Sequence, residues 1–203
     1  MACELCLRSD RPMTREHIFA RWLIRQVHAG RLVPSSARGE AMPQRIARLT
    51  ADVCAVCNAG WMSGLEVSFR RLLFSQRRVG LIAAPDRAVL SRWFTKTAVL
   101  VARAHGGDVV APESRAKLVA GMPDGVEVFL ARRRRPPQKV DFSVDVEGER
   151  VRSVAILVDD LVAHVAAADV LAGRGTRLWP LRSHALRWDT LPVIAATVLS
   201  ARD

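Results

Sequence analysis

Four cysteines, and only four, stand in this chain, as two Cys-x-x-Cys pairs, Cys3/Cys6 and Cys54/Cys57. The short gap lets both thiolates of a pair reach one ion, and two pairs complete a tetrahedral all-cysteine zinc site. Closing that site across the 47 intervening residues requires any fold of this chain to bring its first residues against 54–57. The closure carries other side chains with it. Glu16 and His17 follow the first pair by ten residues, and Asn58 follows the last cysteine directly. The zinc therefore pins Glu16, His17 and Asn58 into one small region.

At 203 residues the chain suits one sizeable domain or two small ones. No apolar run approaches the eighteen residues of a membrane span. The N-terminus opens on a cysteine pair instead of a basic-then-apolar leader, so a reduced, metal-binding, cytoplasmic protein is expected. Two disulfides in an exported protein are the alternative. The formal charge is +11 and unevenly placed, with 16 basic and 7 acidic side chains in residues 1–96 and 15 and 13 in the rest. A four-thiolate zinc adds about −2 to the first part, which stays basic. Such a surface attracts phosphate backbones, so nucleic acid, DNA first, is the expected partner. Arginine preference itself says little. Only Lys96, Lys117 and Lys139 are lysine among 31 basic residues, as GC-rich coding would produce.

The pattern predicts an α+β fold, a zinc-knuckle module over 1–80 and an α+β body over 81–203 that could share its core. Ile18, Phe19, Trp22, Leu23 and Val27 recur at helical spacing, and residues 30–43 read as an exposed loop. Ser63 with Glu66 has the form of a capping box, although the helix could begin earlier, at Asn58. Its apolar face is Leu65, Phe69, Leu72 and Leu73, with Arg70, Arg71, Arg77 and Arg78 around it as candidate nucleic-acid contacts. Pro85-Asp86 opens a helix over 86–105 that stops at Gly106-Gly107. Thr97 should face the core and Lys96 the solvent, with a phosphate contact by Lys96 as the alternative. A short helix is expected over 112–120. From 125 to 168 the period changes to two and predicts a four-stranded antiparallel meander. Arg132–Arg135 reads as a strand end entering the Pro136-Pro137 turn. A C-terminal helix near 191–201 should lie across the sheet. An unpaired edge strand there would suit a second copy of the chain.

Chemically, Glu16 and Asn58 offer a carboxylate and an amide oxygen for a hard Mg²⁺-like or Mn²⁺-like ion, and His17 is a credible base near neutrality. The order Cys-x-x-Cys, Glu-His-Ile, Cys-x-x-Cys-Asn resembles the zinc-knuckle branch of the HNH, or His-Me finger, endonucleases. TREHIF from Thr14, CNAGWMS from Cys57 and WFTKT from Trp93 also look like a little-characterised bacterial set of HNH-like proteins. The resemblance covers roughly residues 1–75. It implies a ββα-metal element, His17 as general base, and Glu16 and Asn58 as ligands of a catalytic divalent ion. It assigns Cys3, Cys6, Cys54 and Cys57 to structural zinc. The implied activity is metal-dependent hydrolysis of phosphodiester bonds.

A second reading stands beside it. Residues 45–53 carry no counterpart of the family's middle Asn, and Ala59–Met62 no counterpart of its Lys. A non-catalytic, zinc-stabilised module that binds nucleic acid or a protein would fit those departures. His17 would then pack beside the knuckle, Asn58 would cap a helix, and Trp22 and Trp61 would be core aromatics. No Gly-rich phosphate loop or nucleophile elbow is present, which excludes nucleotide-dependent transfer and serine-hydrolase chemistry.

Overall fold

The computed structural model describes residues 1–27, 46–74, 80–134, 140–168, 175–181 and 185–194. Strands β1 (Met13–His17) and β2 (Thr50–Cys54) form an antiparallel ribbon in which Met13 faces Cys54 and His17 faces Thr50. Helix α1 (Arg21–Val27) follows β1, as the spacing predicts. After β2 the chain passes through a helical turn, Ala55–Cys57, and a wide π-turn, Asn58–Met62, kinked at Gly60, into α2 (Ser63–Leu73).

The helical backbone at Met62 and Ser63 overturns the capping-box reading. Ser63 has helical φ and ψ (−59°, −46°) and lies inside a helix that is already running. The true N-cap is Cys54, extended, with its sulfur accepting the Cys57 N–H at 3.5 Å. Asn58 is not an N-cap either. Its backbone is helical (−63°, −58°), so its side chain is free for other partners. The π-turn bends at Gly60, whose φ and ψ of −90° and −113° break the helical path.

Helix α3 (Ala84–Ala104) is the centre of the molecule. Pro85 and Asp86 suit its first turn. Its end is a Schellman motif: Gly106 takes a φ of +79°, its N–H donates to Arg103 O at 3.0 Å, and the Gly107 N–H donates to Ala102 O at 3.0 Å. Packed against α2 and β2 as well as strands of the main sheet, α3 is buried on nearly every side between Trp93 and Ala102. Phe69 of α2 stacks on Trp93 at 3.7 Å and 2°, and Phe19 stacks on Phe142 of the sheet at 5.9 Å. Buried apolar residues from both halves of the chain form one contiguous cluster.

The main sheet departs from the expected four-stranded meander. Among the described residues it has six strands, β4 (Val126–Arg133), β5 (Val140–Glu147), β6 (Arg150–Val158), β7 (Leu161–Ala167), β8 (Thr176–Trp179) and β10 (Val193–Ile194). Tight turns with positive φ at Gly148 and Asp159 make consecutive hairpins of β5, β6 and β7. β4 instead lies beside β7, giving the order β10-β4-β7-β6-β5 with β8 also on β4. The connection after β4 contains Pro136-Pro137, which lacks the N–H groups and positive-φ residues of a two-residue hairpin.

The C-terminal helix is also corrected where it can be seen. Val193 and Ile194 are extended and pair parallel with Arg132 and Arg133. Pro192 biases Leu191 towards extended backbone, and β-branched Val and Ile favour strands. Residues 195–201 of that expectation lie outside the described residues, as do the loop at 30–43 and the Pro136-Pro137 turn. The remaining pair, β3 (Leu81–Ile82) and β9 (Leu186–Arg187), is antiparallel. Among the described residues no helix is long and apolar enough to cross a membrane.

Candidate metal centre and the adjoining cleft

The four cysteine sulfurs lie within 4.8 Å of one another. Cys6 and Cys54 are 3.7 Å apart at sulfur, far beyond a disulfide bond. Four sulfurs about 2.3 Å from a zinc would be separated by about 3.8 Å along each tetrahedral edge. The cluster thus has the donor set and the dimensions of a zinc site. Local geometry builds it. The first knuckle folds through a Leu7 N–H to Cys3 O bond and a positive φ at Leu7, and the Cys54 N–H donates to Cys3 Sγ at 3.2 Å. Glu4 ties the knuckle to α3 through Arg103 at 2.7 Å.

Burial pushes the Cys57 and Cys6 thiols up. For Cys54 burial acts in the same direction, but the Cys57 N–H and the neighbouring thiols outweigh it and bring the group to about 7. The site thus favours ionisation first at the sulfur that the Cys57 N–H and the neighbouring thiols approach.

Beside the cysteines a cleft of about 640 Å³ opens, and Glu16, His17 and Asn58 all line it. The Asn58 Nδ2 amide donates to Glu16 Oε2 at 2.9 Å and to Thr14 Oγ1 at 3.2 Å. His17 stands at the end of β1, where its Nε2 accepts the Arg21 Nε–H at 2.9 Å. That bond leaves the neutral imidazole with its proton on Nδ1, which has no partner among the described residues. Arg21, on the first turn of α1, also lines the cleft. The structure therefore brings Asn58 to Glu16 and His17, more than forty positions away in sequence.

Arg70 and Arg71 are exposed on the last turn of α2. The Arg70 guanidinium lies 5.6 Å from the Trp22 ring centre, at the edge of the cleft that Trp22 helps to line. Arg77 and Arg78 lie outside the described residues.

Sequence reasoning missed the far wall. Lys96 is 2 % exposed, not solvent-facing, and its Nζ donates to Glu66 Oε1 at 2.6 Å. The same carboxylate accepts the Trp93 indole at 2.8 Å and the Trp22 indole at 3.2 Å. Glu66 was read as a capping residue. It is instead the acceptor that joins α1, α2 and α3, and both it and Lys96 border the cleft. A signal was present, since one of only three lysines sits among Trp93, Phe94 and Thr97 on an otherwise apolar stretch of helix. Compared with known proteins, the chain matches no family model, no curated protein and no solved structure.

Proposed function

We propose that the cleft is the active centre of a metal-dependent phosphodiesterase of the HNH type, acting on nucleic acid, DNA first. The observation that carries this reading is the convergence of Glu16, His17 and Asn58 on one cleft beside the cysteine cluster. Two ligands at right angles on a Mg²⁺ ion at about 2.1 Å stand about 3.0 Å apart. The Asn58 amide and Glu16 Oε2 are 2.9 Å apart, so the pair has that spacing. Asn58 would turn its amide over to offer Oδ1, since that oxygen faces Glu16 comfortably only across a cation. A ribbon followed by a helix is also the arrangement that the ββα-metal resemblance implies.

Bound there, a divalent ion would neutralise charge on the scissile phosphate and the leaving oxygen. His17 would take a proton from the attacking water as oxygen bonds to phosphorus and the P–O bond to the leaving group breaks. Arg21 must first leave Nε2. A phosphate oxygen is a stronger acceptor for a guanidinium than imidazole is, and exposed Arg21 is free to make the exchange. Arg70 and Arg71 would hold the backbone nearby.

One observation favours the non-catalytic module instead. Asn58 already bridges Glu16 and Thr14, and His17 Nε2 is already taken by Arg21, without any ion. The two readings part in a single experiment, cleavage of supercoiled and linear DNA with Mg²⁺ or Mn²⁺ by the parent and His17→Ala. The nuclease reading expects ion-dependent cleavage that the variant loses while its folding and DNA affinity persist. Salt-sensitive binding with no ion-dependent cleavage would leave the binding module.

A further inference from the structure

Lys96 is the group in the cleft that the proposed chemistry does not use. An ammonium has three N–H donors to place. Glu66 Oε1 takes one of them at 2.6 Å. The Trp93 ring, with its centre 5.1 Å from Nζ, gives a cation–π contact but no acceptor atom. Among the described residues no second acceptor serves Nζ, although the side chain is almost wholly buried. Glu66 Oε1, the oxygen that holds Nζ, also takes the Trp93 indole, and Oε2 takes the Trp22 indole. Arg15 and Arg21 line the same cleft, so its charged lining carries three cations against Glu16 and Glu66.

We infer that Lys96 is an anion-binding residue of the cleft, whose free N–H groups take a non-bridging oxygen of a phosphate. Glu66 and the two indoles hold the ammonium in place and keep its side chain from folding away. That the anion is a phosphodiester rests on the proposed function; that the subsite takes an anion rests on the ammonium alone. Lys96 lines the same cleft as Glu16 and Asn58, so a phosphate bound there would meet both the ammonium and the proposed ion site.

The test uses the full zinc-loaded chain with dimethyl phosphate and inorganic phosphate as probes. With only three lysines in the chain, the Lys96 ¹⁵Nζ–¹H signal is readily assigned. Phosphate should shift it saturably, with the same midpoint as the broadening of the ³¹P line. Lys96→Met should weaken that binding at least tenfold. The Glu66→Gln/Lys96→Met pair keeps an acceptor for the indoles and leaves no unpaired charge, and it should lose binding to the same extent while remaining folded. Absence of phosphate binding, binding that leaves the Lys96 signal unmoved, or parental affinity in the double variant each overturn the inference. Cleavage separates this from the catalytic reading. A parental cleavage rate in His17→Ala with Lys96 still binding phosphate removes the nuclease and leaves the subsite. His17-dependent cleavage with parental phosphate affinity in the double variant does the reverse.

Discussion

Replacing Glu66 with Leu tests the far wall of the cleft as an energetic unit. Glu66 is 19 % exposed and Lys96 2 %, so the variant leaves an ammonium buried without its partner and removes the acceptor of two indoles. Breaking a buried pair from one side costs about 3–5 kcal/mol. Water entering the cleft can reach part of the vacated space, which favours the lower end, about 3 kcal/mol. Glu66→Leu/Lys96→Met removes the stranded charge and leaves mainly the Trp93 N–H without an acceptor, a cost of about 1–2 kcal/mol. The double variant should therefore be more stable than the single one. For a chain of this size 1 kcal/mol shifts Tm by about 2–4 °C, so the single change should lower Tm by about 6–12 °C and the double by about half of that. Urea unfolding followed by tryptophan fluorescence reads both, since Trp22 and Trp93 contact the altered residue. A double variant no more stable than Glu66→Leu would mean that the pair is screened by solvent and does not hold the wall.

Other expectations concern separate parts of the molecule. His17→Ala should reduce any ion-dependent cleavage by about 10²–10⁴-fold, the usual contribution of a general base, with the thermal midpoint unchanged within error. Cys54→Ser should bind less than one zinc per chain and unfold well below the parent; cobalt in the parent should give thiolate charge-transfer and tetrahedral bands, and octahedral spectra would rule out the four-sulfur site. A β-carbon at Gly107 would meet Val151 Cγ2 at 2.4 Å, so Gly107→Ala should cost about 1–3 kcal/mol of stability, read by urea denaturation. Arg70→Ala should flatten the dependence of DNA affinity on salt by about one unit of slope, and an unchanged slope would take Arg70 off the DNA path.

What could be read from the chain beforehand was whatever short-range spacing specifies. The two cysteine pairs announce their cluster because metal ligation imposes a fixed gap. The helix from Pro85 to Gly106 is legible because its start and stop are both local. The sheet strands were legible as alternating segments, but their neighbours were not, since β4 beside β7 depends on a connection with no turn signal of its own. Glu66 misled for a related reason. Ser63-x-x-Glu66 is a capping box only where Ser63 lies off the helical path, and here Ser63 and the preceding Met62 both have helical φ and ψ. Lys96 looked exposed because a lysine usually is. Its burial depends on a carboxylate thirty residues away that no periodicity links to it.

The two walls of the cleft are fastened at both ends by contacts distant in sequence, and this bears on how the site could work. One wall is β1 with the start of α1, carrying Glu16, His17, Arg21 and Trp22. The other is the helical rail from Ala55 to Leu73, backed by α3, carrying Asn58, Glu66 and Lys96. At one end the cysteine cluster joins the first knuckle to the start of the rail, with Asn58 directly after its last ligand. At the other end Trp22 of the first wall donates to Glu66 of the second. Between these ends, Asn58 bridges to Glu16 and Thr14. A metal in the cysteine cluster would therefore set the separation of Asn58 from Glu16 through covalent adjacency, while Glu66 sets the far end through hydrogen bonds. Losing the metal should loosen the Asn58 end first and leave the Trp22–Glu66–Trp93 end in place, because the stacked Phe69–Trp93 core that supports it does not involve the cysteines. Hydrogen exchange on the chelated protein should accordingly rise at Thr14–His17 and Cys54–Met62 before it rises across Ser63–Leu73.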